Sequence, residues 1–434
     1  MNEISRDKLQ LRLGVLGGGQ LGRMLLPPAL RFNLAPGFLD PDPAAPVRAN
    51  AAYFQTGDLM DFATVCDFGR RFDLVTTEIE HVNTEALAQL ESEGVLVRPS
   101  SRILALVQDK LKQKEFYRDN GIPTAEFAAL DNRADLIERM PELRHLFPAM
   151  QKLRRDGYDG RGVQKLPDPA DFATTDPAQI AGTEPGESKT AARVESEAFR
   201  EALEKVAFDA PSLIERRVDF VKEIAVIVSR NPAGQVALYP PVEMEFHPTA
   251  NLVELLFAPA QIDRDVERQA NEIATKIAEL LELEGLLAVE LFVTNAGQVL
   301  VNEIAPRTHN SGHHTIEACV TSQFEQHLRA VLDLPPGDTA LVAPAAMVNL
   351  LGTRGTGPAH YRGMEKILAM PGVHVHLYGK IVTRPFRKMG HVTITGPSGA
   401  TNPDNGEATR ALLAVRERAR EIRAIVEIIG ESDA

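Results

Sequence analysis

Leu286-Leu287-Ala288-Val289-Glu290-Leu291-Phe292-Val293 and Val299-Leu300-Val301-Asn302-Glu303-Ile304 stand on either side of Asn295-Ala296-Gly297. Two short apolar runs split by such a turn read as an antiparallel hairpin. With Ala296-Gly297 as a two-residue turn, Asn295 faces Gln298 and Glu290 faces Glu303. Facing residues have Cβ atoms about 5 Å apart. Like charges at that spacing, with Val289, Leu291, Phe292, Val301 and Ile304 around them, are destabilising unless a cation neutralises them. Hard oxygen ligands suit Mg²⁺, which takes one or two carboxylates and completes its shell with phosphates and water. The plainer reading is a solvent-facing row of glutamates on a half-buried hairpin. The hairpin, however, runs straight into Ala305-Pro306-Arg307-Thr308-His309-Asn310-Ser311-Gly312-His313-His314, which gathers cationic and hydrogen-bonding groups beside the acids.

Upstream, Lys152 lies on an expected strand Ala149–Leu153, followed by Gly157-Tyr158-Asp159-Gly160-Arg161-Gly162. Such a loop offers backbone N–H groups to phosphates, and a strand lysine before it suits a phosphate contact; a strand-end lysine reaching solvent is the plainer alternative. Strands Ser212–Glu215, Glu223–Ser229 and Gln235–Tyr239 follow, so Glu215 and Glu223 bracket a connection against which a purine base can lie. Helix Asp263–Leu283 precedes the hairpin. Downstream, Lys380, Arg384, Arg387 and Lys388 make a basic cluster, either a solvated face or a set of cations for an anion. A final helix is expected over Glu407–Ile428, stopped by Gly430.

The opening third reads as parallel βα units, with strands Leu11–Leu16, Gly37–Asp40, Leu74–Thr77 and Val95–Val97 and a closing helix Ser101–Asn120. Pro27-Pro28 predicts a first helix that is short or kinked. Gly17-Gly18-Gly19-Gln20-Leu21-Gly22 after a strand, with Asp40 ending the next, fits a dinucleotide-binding pattern. The glycines and the helix start favour an anion of any kind, so a ribonucleotide phosphate fits as well as a pyrophosphate. The chain has 434 residues, 44% of them hydrophobic and 25% charged, and a net charge of −13. That length implies two or three domains, and the acidity argues against a nucleic-acid partner. Two distant cysteines, Cys66 and Cys319, and no signal-like or membrane-spanning stretch lead to the expectation of a cytoplasmic protein.

Taken together, Gly19-Gln20-Leu21-Gly22-Arg23-Met24-Leu25, Thr77-Glu78-Ile79-Glu80, Gln108-Asp109-Lys110-Leu111 with Gln113-Lys114, the glycine loop, Asn302–Arg307 running into His309–His313, and Arg387-Lys388-Met389-Gly390-His391 resemble the ATP-grasp superfamily. More closely, the chain resembles the N5-carboxyaminoimidazole ribonucleotide synthase family of purine biosynthesis. The resemblance implies a mixed α/β multidomain fold: a Rossmann-like domain over 1–121, an ATP-grasp domain over 122–333 with its lid at about 122–210, and a small mixed domain over 334–434. It implies ATP held by Lys110, Lys152, Glu215, Val218 and Glu223, between lid and body, and Mg²⁺, with Mn²⁺ as a substitute, on Glu290 and Glu303. Aminoimidazole ribonucleotide would meet Gln20, Glu78, Tyr158, Asp159, Arg161, Ser311, Lys380, Arg387 and Lys388. Arg307, His309 and Asn310 would surround bicarbonate and carboxyphosphate, with Lys380 as a further catalytic group. Relatives being dimers, a homodimer is expected.

The chain departs from that family in four places. Phe386 stands where Gly is usual, Lys110 where Arg is frequent, and Val163 where Gln is common; Thr174–Arg193 enlarges the lid. Three rival readings are a formate-using glycinamide ribonucleotide transformylase, an NAD(P)-dependent oxidoreductase resting on the glycine motif and Asp40, and a non-catalytic nucleotide sensor. The first is opposed by His309-Asn310-Ser311, where such relatives look more like His-Asp-Thr. The second leaves Glu290, Glu303 and the Arg307 loop without a purpose, and intact metal ligands oppose the third.

Overall fold

The computed structural model describes residues 7–155, 157, 162–169, 197–248, 252–401 and 406–433. They fall into two compact units, one of Gln108–Asp219 and one of the residues up to Val107 together with those from Phe220 onward.

In the larger unit, the N-terminal strands form a five-stranded parallel sheet in the order Tyr53–Thr56, Gly37–Asp40, Leu13–Leu16, Leu74–Thr77, Leu96–Val97. Leu13–Leu16 is buried along its whole length, as a parallel strand covered on both faces must be. Leu13, Val15, Leu25 and Leu74 share one core with Phe324, Leu328 and Val331 of the helix Gln323–Val331. His327 of that helix joins its Nε2 to the Thr76 hydroxyl at 2.9 Å. A helix late in the sequence therefore packs on the first sheet.

A second sheet, of twelve strands among the described residues, begins with the hairpin Val299–Ala305/Gly285–Thr294. It continues through Phe220–Arg230, Val242–Phe246 and Val253–Ala258 to Ala345–Arg354. That last strand pairs antiparallel with Val253–Ala258 on one side and with Lys388–Thr395 on the other. The metal-type hairpin and the basic C-terminal cluster are thus parts of one continuous sheet. The helix Gly406–Ile425 covers the far end, where Leu412, Val415, Ala419 and Ile422 meet Phe257, Val348 and Val392.

The smaller unit is a four-stranded antiparallel sheet, in the order Phe127–Leu130, Ser212–Arg216, Ala149–Leu153, Val163–Lys165. Leu136, Met140 and Leu143 pack against Phe199 and Leu203 on its core face.

Two local expectations need correction, those for the helix after the first sheet and for the last helix. The helix expected over Ser101–Asn120 is two helices, Ser101–Val107 and Lys110–Asp119. Asp109 breaks it by accepting from the N–H groups of Leu111 and Lys112, an N-cap that cannot also be helix interior. The first helix runs through both prolines, from Gln20 to Arg31. The last helix stops at Ile425, and Glu427–Gly430 becomes a strand paired with Gly357–Arg362 and Ala345–Arg354. An apolar Val-Glu-Ile-Ile run serves either period.

Candidate active site

The hairpin brings Glu290 opposite Glu303, by a route other than the expected two-residue turn. Thr294 N–H donates to Gln298 O and Gly297 N–H to Thr294 O, both at 2.9 Å. The loop is therefore three residues, Asn295-Ala296-Gly297, with Gly297 at φ +73°. That register pairs Val293 with Val299, Phe292 with Leu300 and Leu291 with Val301, and extended unbroken it would set Glu290 against Asn302. A bulge between Glu290 and Leu291 on one strand and Val301 and Glu303 on the other restores the acid pair. In a bulge two residues oppose one. Here Asn302 and Glu303 are both half-exposed, between buried Val301 and buried Ile304. Asn302 thus joins the site, and sequence reasoning passed over it. The signal was present: apolar residues at 299, 301 and 304 break the period of two.

Glu223 completes this face. It pairs with Phe292 while Ala225 pairs with Glu290, and cross-strand partners project to the same side of a sheet. Glu223, Glu290 and Glu303 accordingly share one surface of three adjacent strands. Among the described residues no cluster of three or more His, Cys, Asp or Glu is arranged to hold a metal by itself. Two opposed carboxylates with an adjacent amide fit an ion that draws its remaining ligands from phosphates and water, as Mg²⁺ does.

The loop after the hairpin is fastened to three parts of the larger unit. Arg307 Nε meets Glu80 Oε1 at 2.8 Å, reaching the N-terminal sheet. His309 Nε2 stands 3.5 Å from Glu290 Oε1. Asn310 and Asn349 exchange amide hydrogen bonds at 2.9 and 2.8 Å, tying the loop to Ala345–Arg354. His309 caps the single 3₁₀ turn Asn310–Gly312, accepting from Ser311 N–H at Nδ1. An accepting Nδ1 leaves the ring proton on Nε2, facing Glu290. Ser311, expected to contact substrate, is 1% exposed, and its hydroxyl lies 2.8 Å from that same Nδ1.

The basic cluster enters from the C-terminal side. Lys380 Nζ donates to Lys388 O at 2.8 Å and stands 5.7 Å from the centre of the Tyr378 ring. Arg387 Nη1 donates to Val382 O at 2.6 Å. Burial drives His313 well below the usual imidazole range, and the charges of His391, His309 and Lys388 add to the effect. His391 is likewise pushed down, stacked on His376 at 4.5 Å with Tyr378 Oη 3.0 Å from its Nδ1. These rings stay neutral beside the cationic groups.

The glycine motif is occupied by the protein itself. Glu78 accepts from the N–H groups of Gly19, at 2.6 Å, and Gly22, while Asp40 accepts from Gly18 N–H at 2.7 Å. Any side chain at Gly17 or Gly19 would collide with Glu78. Burial raises both carboxyl groups above their usual range, against the lowering effect of those N–H donors. The expected ribose-binding acid and the pyrophosphate seat are therefore partners of each other. Gln20 is the first residue of the following helix.

In the smaller unit, Lys152 and Glu215 form a direct ion pair, and Lys114 Nζ reaches the other Glu215 oxygen at 2.9 Å. Glu215 is 4% exposed. Burial alone would raise its carboxyl, but Lys114 and Lys152 outweigh that and pull it down to about 2. Lys114 is pushed below the usual lysine range by burial, with the charges of Lys152 and Lys110 contributing. The phosphate-type lysine and the adenine-type glutamate are thus one buried cluster. Lys114 belongs to it, a residue that the family motifs include but to which sequence reading gave no role. Val218 lies half-buried in the connection after Arg216. Tyr158, Asp159 and Arg161 lie outside the described residues.

Comparison with known proteins matches three stretches of the chain. Residues 11–108 match the ribonucleotide synthetase preATP-grasp domain, 115–324 the ATP-grasp domain, and 345–402 the phosphoribosylaminoimidazole carboxylase C-terminal domain. The N5-carboxyaminoimidazole ribonucleotide synthase of Synechococcus elongatus is 35% identical over 95% of this chain and 96% of its own length. The chloroplastic phosphoribosylaminoimidazole carboxylase of Vigna aconitifolia is 37% identical over 89% of this chain, which spans only 64% of that longer protein. Among solved structures, the Thermotoga maritima synthetase superposes with a TM-score of 0.79 at 36% identity, over 97% of this chain and 100% of that one. The Aspergillus clavatus synthase, solved with ADP and 5-aminoimidazole ribonucleotide, gives 0.75 at 33%, over 95% and 100%. Sharing their motifs, their three-part order and their fold along nearly its whole length, the chain belongs to the N5-carboxyaminoimidazole ribonucleotide synthase family of ATP-grasp ligases.

Proposed function

We propose that this chain carboxylates 5-aminoimidazole ribonucleotide with bicarbonate, consuming ATP and releasing ADP and phosphate, as a step of purine synthesis. The observation that carries the reading is the Glu290/Glu303 pair with His309 and Arg307 on the loop that leaves it. A bicarbonate oxygen attacks the γ-phosphorus of ATP, ADP leaves, and carboxyphosphate forms. The exocyclic amine of the ribonucleotide then attacks the carboxyl carbon, phosphate departs, and the amine proton leaves with it. Both reactants of the first step are anions, so neutralising charge along the transfer path lowers the barrier.

Each residue set has its part. Glu290 and Glu303, with Asn302 beside them, would hold Mg²⁺, which when bound offsets charge on the triphosphate. Glu223 takes ribose hydroxyls, and Lys110, Lys152 and Val218 serve the nucleotide, Glu215 fixing Lys152. Arg307, His309 and Asn310 receive bicarbonate. Gln20, Glu78, Lys380, Arg387 and Lys388, with Tyr158, Asp159 and Arg161, receive the ribonucleotide. The enzyme acts as a homodimer in the cytoplasm; no described helix is long and apolar enough to cross a membrane.

The test is ADP release with aminoimidazole ribonucleotide and bicarbonate, run against glycinamide ribonucleotide with formate. Turnover with the first pair and none with the second is expected; the reverse preference would overturn the reading.

A further inference from the structure

The Arg307–His313 loop is irregular and largely buried, and every main-chain polar group in such a segment needs a partner. Two of them find it in one side chain. Gln323, 0% exposed, accepts from His309 N–H at Oε1 (2.9 Å) and donates from Nε2 to His309 O (2.7 Å). The second Nε2 hydrogen points to His313 Nδ1 at 3.1 Å. An amide is the one side-chain group of this size that accepts once and donates twice in this layout. The His309 N–H fixes which end is oxygen, so His313 Nδ1 accepts and its ring proton sits on Nε2.

Local sequence sets Gln323 there. Ser322 caps the helix Gln323–Val331 by accepting from Glu325 N–H, a Ser-x-x-Glu start that makes Gln323 its first residue. Its own N–H has no helical acceptor and donates to the Thr315 hydroxyl at 2.8 Å. Thr315 in turn donates to Gly312 O. Any side chain at Gly312 would collide with the Gln323 amide. The helix itself is anchored in the core shared with the N-terminal sheet, so the clamp is mounted on a rigid body.

We infer that Gln323 is a positioning residue for carboxylation: it holds His309 and His313 in the geometry that keeps carboxyphosphate formation coupled to its capture. This rests on the reading of the loop as the bicarbonate site. Displacement of a reacting group by about 1 Å costs on the order of 100-fold in rate, and without the amide nothing else described grips both main-chain groups of His309.

Gln323→Met removes all three bonds at nearly constant volume, and Gln323→Glu keeps only the acceptor. In both, kcat should fall about 30-fold or more and KM for bicarbonate rise several-fold, with KM for ATP within about two-fold of wild type. ADP released per carboxylated product should rise from one to several. A merely structural role would lower the active fraction and leave both the KM values and that ratio unchanged, and such a result overturns the inference. Should Gln323→Met not fold, Gly312→Ala crowds the same amide from the loop side and is read in the same way. His309→Ala separates the two levels. If it leaves bicarbonate KM and coupling at wild-type values, the reading of the loop is wrong. If it shifts them while the Gln323 variants do not, only the clamp is wrong.

Discussion

At the scale of single residues, Phe386 is the most unusual. It holds φ +63°, a left-handed conformation that favours glycine, and glycine is what the family resemblance leads one to expect there. Its N–H donates to Gly352 O, and Gly352 N–H to Arg387 O, so two main-chain bonds hold the turn that precedes Arg387 with a phenylalanine in it. The ring is 46% exposed and lies edge-on to His247. A non-glycine residue in this region costs about 1–2 kcal/mol. Glycine relieves that but costs about 0.5–1 kcal/mol in chain entropy and gives up the ring contact. Phe386→Gly should therefore stay within about 1 kcal/mol of wild type, whereas a β-branched valine in the same conformation should lose about 1–2 kcal/mol more. Urea unfolding of the two variants checks this; equal stabilities would mean that the turn relaxes around the side chain.

At the scale of elements, the hairpin shows what was legible and what was not. The alternation of apolar residues and the Asn-Ala-Gly break revealed two strands and the facing acids. The turn length did not follow, because hairpins of two and three residues both accept glycine near the end of the loop. Only the skipped period at Val301-Asn302-Glu303-Ile304 betrayed the bulge. Similarly, the Gly17–Gly22 pattern announced an anion seat, but that Glu78 fills it depends on a strand some sixty residues away, which local pattern cannot supply. The pairing of Lys114 was hidden for the same reason: its partner Glu215 lies on another element. The hairpin also carries the sharpest functional prediction. Glu303→Ala should depress ADP formation by about 100-fold or more at saturating Mg²⁺ and leave the fold intact, since it relieves repulsion between facing carboxylates. Wild-type turnover in that variant would contradict the metal assignment. On the neighbouring loop, Arg307→Ala should reduce turnover far more than ATP affinity; a loss confined to ATP affinity would assign Arg307 to the nucleotide instead.

At the scale of the whole molecule, the two units lose stability to acid in different pH windows. In the larger one, burial holds His314 and His327 down at about 4 against an ordinary 6.5. A histidine with a lowered folded value binds its proton in the unfolded chain first. Its contribution is therefore complete above pH 6.5 and lost as pH falls toward 4, at about 2 kcal/mol each by pH 5. In the smaller unit, Glu215 sits at about 2 against an ordinary 4.5. Its contribution is present above 4.5 and lost between 4.5 and 2. Acidification should thus loosen the larger unit first. Hydrogen exchange at pH 5 should show weakened protection in the parallel sheet and the helix Gln323–Val331, with Ser212–Arg216 still protected. His327→Gln, which removes the titration and keeps a polar group near Thr76, should flatten the stability curve between pH 6.5 and 4. An unchanged slope would remove His327 from the account.

The glycine turn closed by Glu78 has a consequence for selectivity. A free dinucleotide or stray phosphate arriving at the N-terminal sheet meets two carboxyl groups already seated on the helix-start amides. To bond those amides itself it must first displace the carboxyl groups that hold them. A ribonucleotide received here would thus be met by the Glu78 side chain, and not by bare helix-start amides.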